Sequence, residues 1–120
     1  MNIGIIGGGS LGLLLTSYLS KHHDVTLYVR RRAQLHSIER QGVHLHRQHS
    51  FVQRVDVSCH MIHHLKDHDI MFITVKQPQI DDIIPYLSHL NQNCRLIFLQ
   101  NGMGHLEKIK SLRSRVSVGV

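Results

Sequence analysis

The sequence predicts a doubly wound α/β fold, a mainly parallel sheet with helices on both faces. Three observations carry this. Short apolar runs alternate with segments of helical period along most of the chain. The runs are continuous rather than alternating with polar residues, as in strands buried on both faces. A glycine-rich turn, "GGGSLG", joins the first apolar run to the first helical segment.

The elements follow in order. "NIGIIG", with Ile3, Ile5 and Ile6, is a short buried strand. Leu11, Leu14, Leu15, Tyr18 and Leu19 then fall at i, i+3, i+4, i+7 and i+8, the stripe of an amphipathic helix. "DVTLYV" (Asp24 to Val29) is β-branched and aromatic, a second strand. "RRAQLHSIERQG" reads as a helix with Leu35 and Ile38 inward and Gly42 as its stop. Val43 to Ser58 suggests extended segments, a hairpin turning near His49. "DIMFITVK" (Asp69 to Lys76) is an apolar run bounded by charges, the clearest buried strand. In the next helix Pro78 suits the first turn, and Asp81 and Asp82 complement the positive end of the dipole. Ile80, Ile83, Ile84 and Leu87 form its stripe, and Pro85 is expected to kink or restart it. "CRLIFLQ" is a strand, "NGMG" a turn, His105 to Leu112 a short helix and "VSVGV" a last strand, cut off at Val120.

The chain has 120 residues, enough for one small domain, and neither a repeat nor a Pro/Ser-rich linker divides it. Its 14 Lys+Arg against 8 Asp+Glu favour an anionic partner. Three Tyr, three Phe, no Trp and no recognisable nucleic-acid motif argue against a nucleic acid. Residues 1–20 carry no charged side chain, yet five glycines and several polar residues do not make a span. Only Met1 and Asn2 precede the apolar stretch, where a signal peptide would have a basic region. The expectation is a cytoplasmic protein with no membrane partner. Cys59 and Cys94 lack CxxC spacing and read as buried thiols in a reducing compartment.

Gly7, Gly9 and Gly12 spell G-x-G-x-x-G between a strand and a helix. There Gly7 allows a tight turn, Gly9 lets a pyrophosphate approach the backbone, and Gly12 lets the helix pack close to the sheet. Gly8 completes the turn, and the N–H groups of Ser10 and Leu11 open the helix, where free donors favour an anion. This is the fingerprint of a Rossmann-type dinucleotide site. An NAD site normally ends its second strand with Asp or Glu, but here the strand ends "YVRRR". Arg30, Arg31 and Arg32 at a helix N-terminus oppose its dipole, costing about 0.3–1 kcal/mol each. The 2′-phosphate of NADP(H) would reverse that cost. Arg30, fixed by the strand end, is the best placed; Arg32 is the one expected to face solvent. Lys76 closes a central strand and points toward the same crevice. Asn101 ends another strand before Gly102 and Gly104, as a ligand contact or a turn residue.

"IGIIGGGSLG", "VTLYVR", "TVK" followed by "QPQ", and "FLQNGMG" follow one another along the chain. In their order and spacing it resembles the N-terminal half of the ketopantoate reductase (2-dehydropantoate 2-reductase) family, and "QNGMG" is the most specific mark. The resemblance implies an NADP(H)-dependent oxidoreductase that reduces ketopantoate to pantoate in pantothenate biosynthesis. It implies that Gly7 to Gly12 hold the pyrophosphate and that Arg30 and Lys76 contact the 2′-phosphate end. Asn101 would lie beside the nicotinamide ribose and the substrate. Family members are more than twice as long, with a helical second domain that supplies a general-acid lysine. That lysine is expected beyond Val120. Residues 1–120 are therefore expected to be the dinucleotide-binding domain, truncated before the helical one. The resemblance implies no catalytic residue within this chain and no reductase activity from it alone. A homodimer is left open.

Other readings are less favoured. A stand-alone NADP(H)-sensing module or a fragment of a related dehydrogenase would share the glycine fingerprint. Twelve histidines invite a metal, with His44 and His46 on one strand face or His60 and His64 at helical spacing. No HExxH or acid cluster supports either pair, and no metal is expected.

Overall fold

The computed structural model describes residues 1–46, 52–91, 93–99 and 115–119. The elements run β1 (Asn2–Ile6), α1 (Ser10–Leu19), β2 (Asp24–Val29), α2 (Arg32–Gln41), β3 (Val43–His46), β4 (Val52–Val55) and β5 (Ser58–Met61). A single 3₁₀ turn (Ile62–His64) leads to β6 (Ile70–Ile73), α3 (Gln77–Leu87), β7 (Arg95–Leu99) and β8 (Arg115–Gly119). Six strands form one sheet in the order β5-β2-β1-β6-β7-β8, and every neighbouring pair is parallel. The chain lays β2 and β5 on one side of β1, then crosses to lay β6, β7 and β8 on the other. The order therefore reverses at β1, which is flanked by β2 and β6.

Side chains alternate across this sheet. Ile3, Ile5, Val25, Leu27 and Val29 join a cluster with Leu13, Leu15 and Leu19 of α1 and Leu35 and Ile38 of α2. Ile6, Tyr28, Met71, Ile73, Leu96 and Phe98 join another with Ile80, Ile83 and Leu87 of α3. Helices thus cover both faces, as the apolar runs predict.

The helix α1 departs from its predicted stripe. Leu11 and Leu14 are 43% exposed and Tyr18 52%, while Gly12, Thr16 and Ser17 are buried. Only Leu15 and Leu19 of the five stripe residues pack against the core, and only partly. Small residues win this face because α1 must sit close to the turn that starts it. A Cβ on Gly12 would collide with the carbonyl oxygen of Gly7. The buried hydroxyls are satisfied within the helix: Thr16 Oγ1 donates to Gly12 O at 2.7 Å and Ser17 Oγ to Leu13 O at 2.8 Å.

Other differences are local. Strand β6 stops at Ile73, so Lys76 caps α3 rather than closing the strand. Asp81 and Asp82 lie beyond the first turn of α3, which holds no acid. Pro85 neither breaks nor restarts that helix, because the bond it withholds falls in the last turn. Val43–His46 and Val52–Val55 form the expected antiparallel hairpin, whose turn lies outside the described residues. Ser58–Met61 instead joins the main sheet beside β2. His60 is therefore on a strand and His64 in the 3₁₀ turn, not at helical spacing. The last strand spans Arg115–Gly119; Val120, which the sequence reading places in it, lies outside the described residues. So do the "NGMG" turn and the helix expected at His105 to Leu112. No helix among the described residues is long and apolar enough to cross a membrane.

Candidate functional site

A cleft of about 840 Å³ opens at the C-terminal edge of the sheet, where the strand order reverses. Three connections build it. The β1–α1 turn brings Gly7, Gly8, Gly9, Ser10 and Leu11; the β2–α2 turn brings Arg30, Arg31, Ala33 and Gln34; the β6–α3 turn brings Thr74, Val75, Lys76 and Gln79. Crossovers in a parallel sheet leave such a crevice at the switch point, with helix N-termini around it.

The glycine turn is held from both flanking strands. Gly7 N–H donates to Tyr28 O at 3.0 Å, and Thr74 donates to Ile6 O through both N–H and Oγ1, each at 2.9 Å. Gly7 has φ +119°, which L side chains rarely adopt, and a Cβ there would strike Thr74 Oγ1. At Gly9 the outcome is opposite: a Cβ would meet nothing within 4 Å. That open side leaves room for a ligand to reach the backbone. Gly9 also caps α1 without a side-chain hydrogen bond, and no acid lies in the first turn. The N–H groups that open the helix have no intrahelical partner there.

The charges that line the cleft are of one sign among the described residues. Arg30, Arg31 and Lys76 line it, and no carboxylate does among the described residues. Arg32 is exposed and does not line it, as expected. Asp82 of α3 stands beside it and accepts a hydrogen bond from Arg30 Nη1 at 3.0 Å.

The structure thus brings together Gly7, Gly8, Gly9, Ser10, Leu11, Arg30, Arg31 and Lys76. Gly12 stands behind them at the base of α1, against Gly7. Asn101 lies outside the described residues. Sequence reasoning missed Thr74, Gln34 and Gln79. Gln34 Nε2 donates to Gly8 O at 2.6 Å, laying a side chain across the glycine turn. A signal existed: both glutamines sit in the first turn of helices that follow strands. Cα–Cβ bonds tilt toward a helix N-terminus, which here faces the cleft.

Neither thiol belongs to this site. Cys59 and Cys94 are free and buried, as the spacing predicts. Burial, and then Glu39, pushes the Cys59 thiol up to about 11, and burial raises Cys94 as well. Among the described residues no three His, Cys, Asp or Glu side chains gather as metal ligands would.

The family model described as "Ketopantoate reductase PanE/ApbA" matches residues 3–120. The chain belongs to the ketopantoate reductase family. It is 41% identical over 110 residues to the 2-dehydropantoate 2-reductase of Bacillus subtilis, covering 92% of this chain and 36% of that one. A crystal structure of a probable 2-dehydropantoate 2-reductase from Bacillus subtilis superposes with TM-score 0.87 at 38% identity. That match covers 98% of this chain and 40% of the solved one. The chain therefore spans well under half the length of these ketopantoate reductases. A D-mandelate dehydrogenase solved with NADH and anilino(oxo)acetate, 17% identical, shares the fold at TM-score 0.89 over 99% of this chain and 40% of its own.

Proposed function

We propose that the chain binds NADP(H) as the dinucleotide-binding part of a 2-dehydropantoate 2-reductase, serving the reduction of ketopantoate to pantoate. The observation that carries this reading is the convergence of Arg30, Arg31 and Lys76 with an uncapped helix N-terminus on one cleft that no carboxylate among the described residues lines. When bound, the cofactor supplies the hydride. The residues present fit it. The open side of Gly9 admits a pyrophosphate, and the N–H groups of Ser10 and Leu11 would donate to its oxygens. Arg30, Arg31 and Lys76 would hold the 2′-phosphate. Arg30 supports NADP(H) over NAD(H) because it stands directly after β2, where an acid would select the bare ribose.

Isothermal titration with NADPH and NADH tests the reading. NADPH should bind at least about tenfold more tightly, since a hydrogen bond to a charged group is worth about 1.5–3 kcal/mol. Equal affinities overturn the 2′-phosphate assignment, and binding of neither overturns the whole reading. We further propose that the chain alone does not reduce ketopantoate, because the resemblance puts the general-acid lysine beyond Val120. A positioned acid contributes about 10²–10⁴-fold. Oxidation of NADPH by the 120-residue chain with ketopantoate would overturn this and place the acid within Met1 to Val120.

A further inference from the structure

Asp82 has no part in the glycine fingerprint, yet it meets the cation on which cofactor choice rests. Its Oδ2 lies 3.0 Å from Arg30 Nη1, and the two residues are 52 positions apart. The contact follows from the fold. Gln79 lines the cleft from α3, and Asp82 is its i+3 neighbour on the same helix face, one turn further back. From there its carboxylate reaches past β1 to the residue that follows β2. The side chains of Arg30 and Asp82 are 33% and 67% exposed, so the pair sits at the mouth of the cleft.

We propose that Asp82 is a specificity-determining residue that tempers the preference for the 2′-phosphorylated dinucleotide, an inference that rests on the NADP(H) reading above. Asp82 engages one terminal nitrogen of Arg30 and offsets its charge. A 2′-phosphate, a dianion for most of the neutral range, must share Arg30 with it or displace it. A dinucleotide with a bare 2′-hydroxyl brings no such charge and leaves the pair as it is. Asp82 thus weakens one cofactor and spares the other. The size of the effect is that of an exposed ion pair.

The test uses the 120-residue chain and the variants Asp82→Asn, Arg30→Ala and the double variant, each titrated with NADPH and with NADH. Asp82→Asn keeps the side-chain shape and removes the charge. It should tighten NADPH about two- to fivefold and leave NADH unchanged. The gain should shrink at high salt, and in the Arg30→Ala background it should largely vanish. Unchanged or weaker NADPH binding by folded Asp82→Asn, with Arg30→Ala still losing the preference, overturns this inference and leaves the NADP(H) reading standing. An equal gain for NADH, or the same gain without Arg30, overturns it too. If Arg30→Ala leaves the NADPH preference intact, this inference falls together with the role given to Arg30, and equal binding of NADPH and NADH by the parent chain overturns the NADP(H) reading itself.

Discussion

The phenol oxygen of Tyr28 lies 2.6 Å from Nε2 of His68, inside the sheet's α3 face. On its other side His68 Nδ1 is 2.6 Å from Asn2 Oδ1. An amide oxygen only accepts, so Nδ1 carries the proton and Nε2 receives the Tyr28 hydroxyl. The neutral ring satisfies both partners, and a second proton would break the arrangement. Burial holds the His68 pKa below its ordinary value, although Asp24, Asp67 and Asp69 pull the other way.

This gives a pH dependence with a definite sign. Unfolded, His68 takes up its proton near pH ~6.5; folded, it does so only at lower pH. Between the two the unfolded state binds more protons, so stability falls as pH drops below about 6.5. His68→Gln should cost roughly 1–3 kcal/mol at pH 8 by taking the partner from the buried Tyr28 hydroxyl. Its deficit in melting temperature should narrow as the pH is lowered toward 5. A deficit constant across that range would remove His68 as the cause.

Gly9→Val and Gly12→Val should fail in different ways. The Gly9 side chain enters open space, so the protein should melt as the parent does but lose dinucleotide binding. At Gly12 the new side chain meets the Gly7 carbonyl, and stability should drop by at least about 1–3 kcal/mol. Thermal melts paired with titrations separate the two. Unchanged affinity in folded Gly9→Val would reduce the loop to a turn.

Gln34→Ala removes the hydrogen bond that holds the Gly8 carbonyl. The glycine turn should loosen, and NADPH and NADH should both weaken by about two- to tenfold, the worth of one neutral hydrogen bond. The ratio of the two affinities should not move. A change in that ratio would mean that Gln34 touches the 2′ position.

Arg30→Ala should remove most of the NADPH preference, and Lys76→Ala less of it. Arg30 directly follows β2, whereas Lys76 sits two residues beyond the last strand-adjacent position, Thr74, as the cap of α3. Titration of both variants with both dinucleotides measures this. An equal loss would place the two cations equally close to the phosphate.

The sheet was legible because most of its strands read as continuous apolar runs, β1 and most of β2 being buried on both faces. Asp24–Val29 has the predicted bounds, and Gly42 stops α2 with φ +70°. The glycine turn was legible because its spacing has a mechanical cause. Helix α1 was not. Its leucines at helical spacing suggest a buried stripe, but close approach at Gly12 turns Thr16 and Ser17 inward instead. Strand β5 was hidden because "SCHM" shows only half-apolar character, as suits a sheet edge. The Arg30–Asp82 pair could not be read at all, since it depends on where α3 lies over the sheet.

The central strand is made before both of its neighbours in the sheet. Ile3 to Ile6 pair with Val25 to Tyr28 on one edge and with Ile70 to Ile73 on the other. A ribosome adding about 5–20 residues per second synthesises the second partner only several seconds after the first strand has formed. Through that interval one edge of an isoleucine-rich strand keeps its backbone donors and acceptors open to any neighbouring chain. Gly4, a poor strand former, interrupts the run at its middle and weakens such pairing. The topology that puts the ligand crevice at β1 therefore makes Asn2 to Ile6 a stretch that a nascent-chain chaperone would have reason to hold.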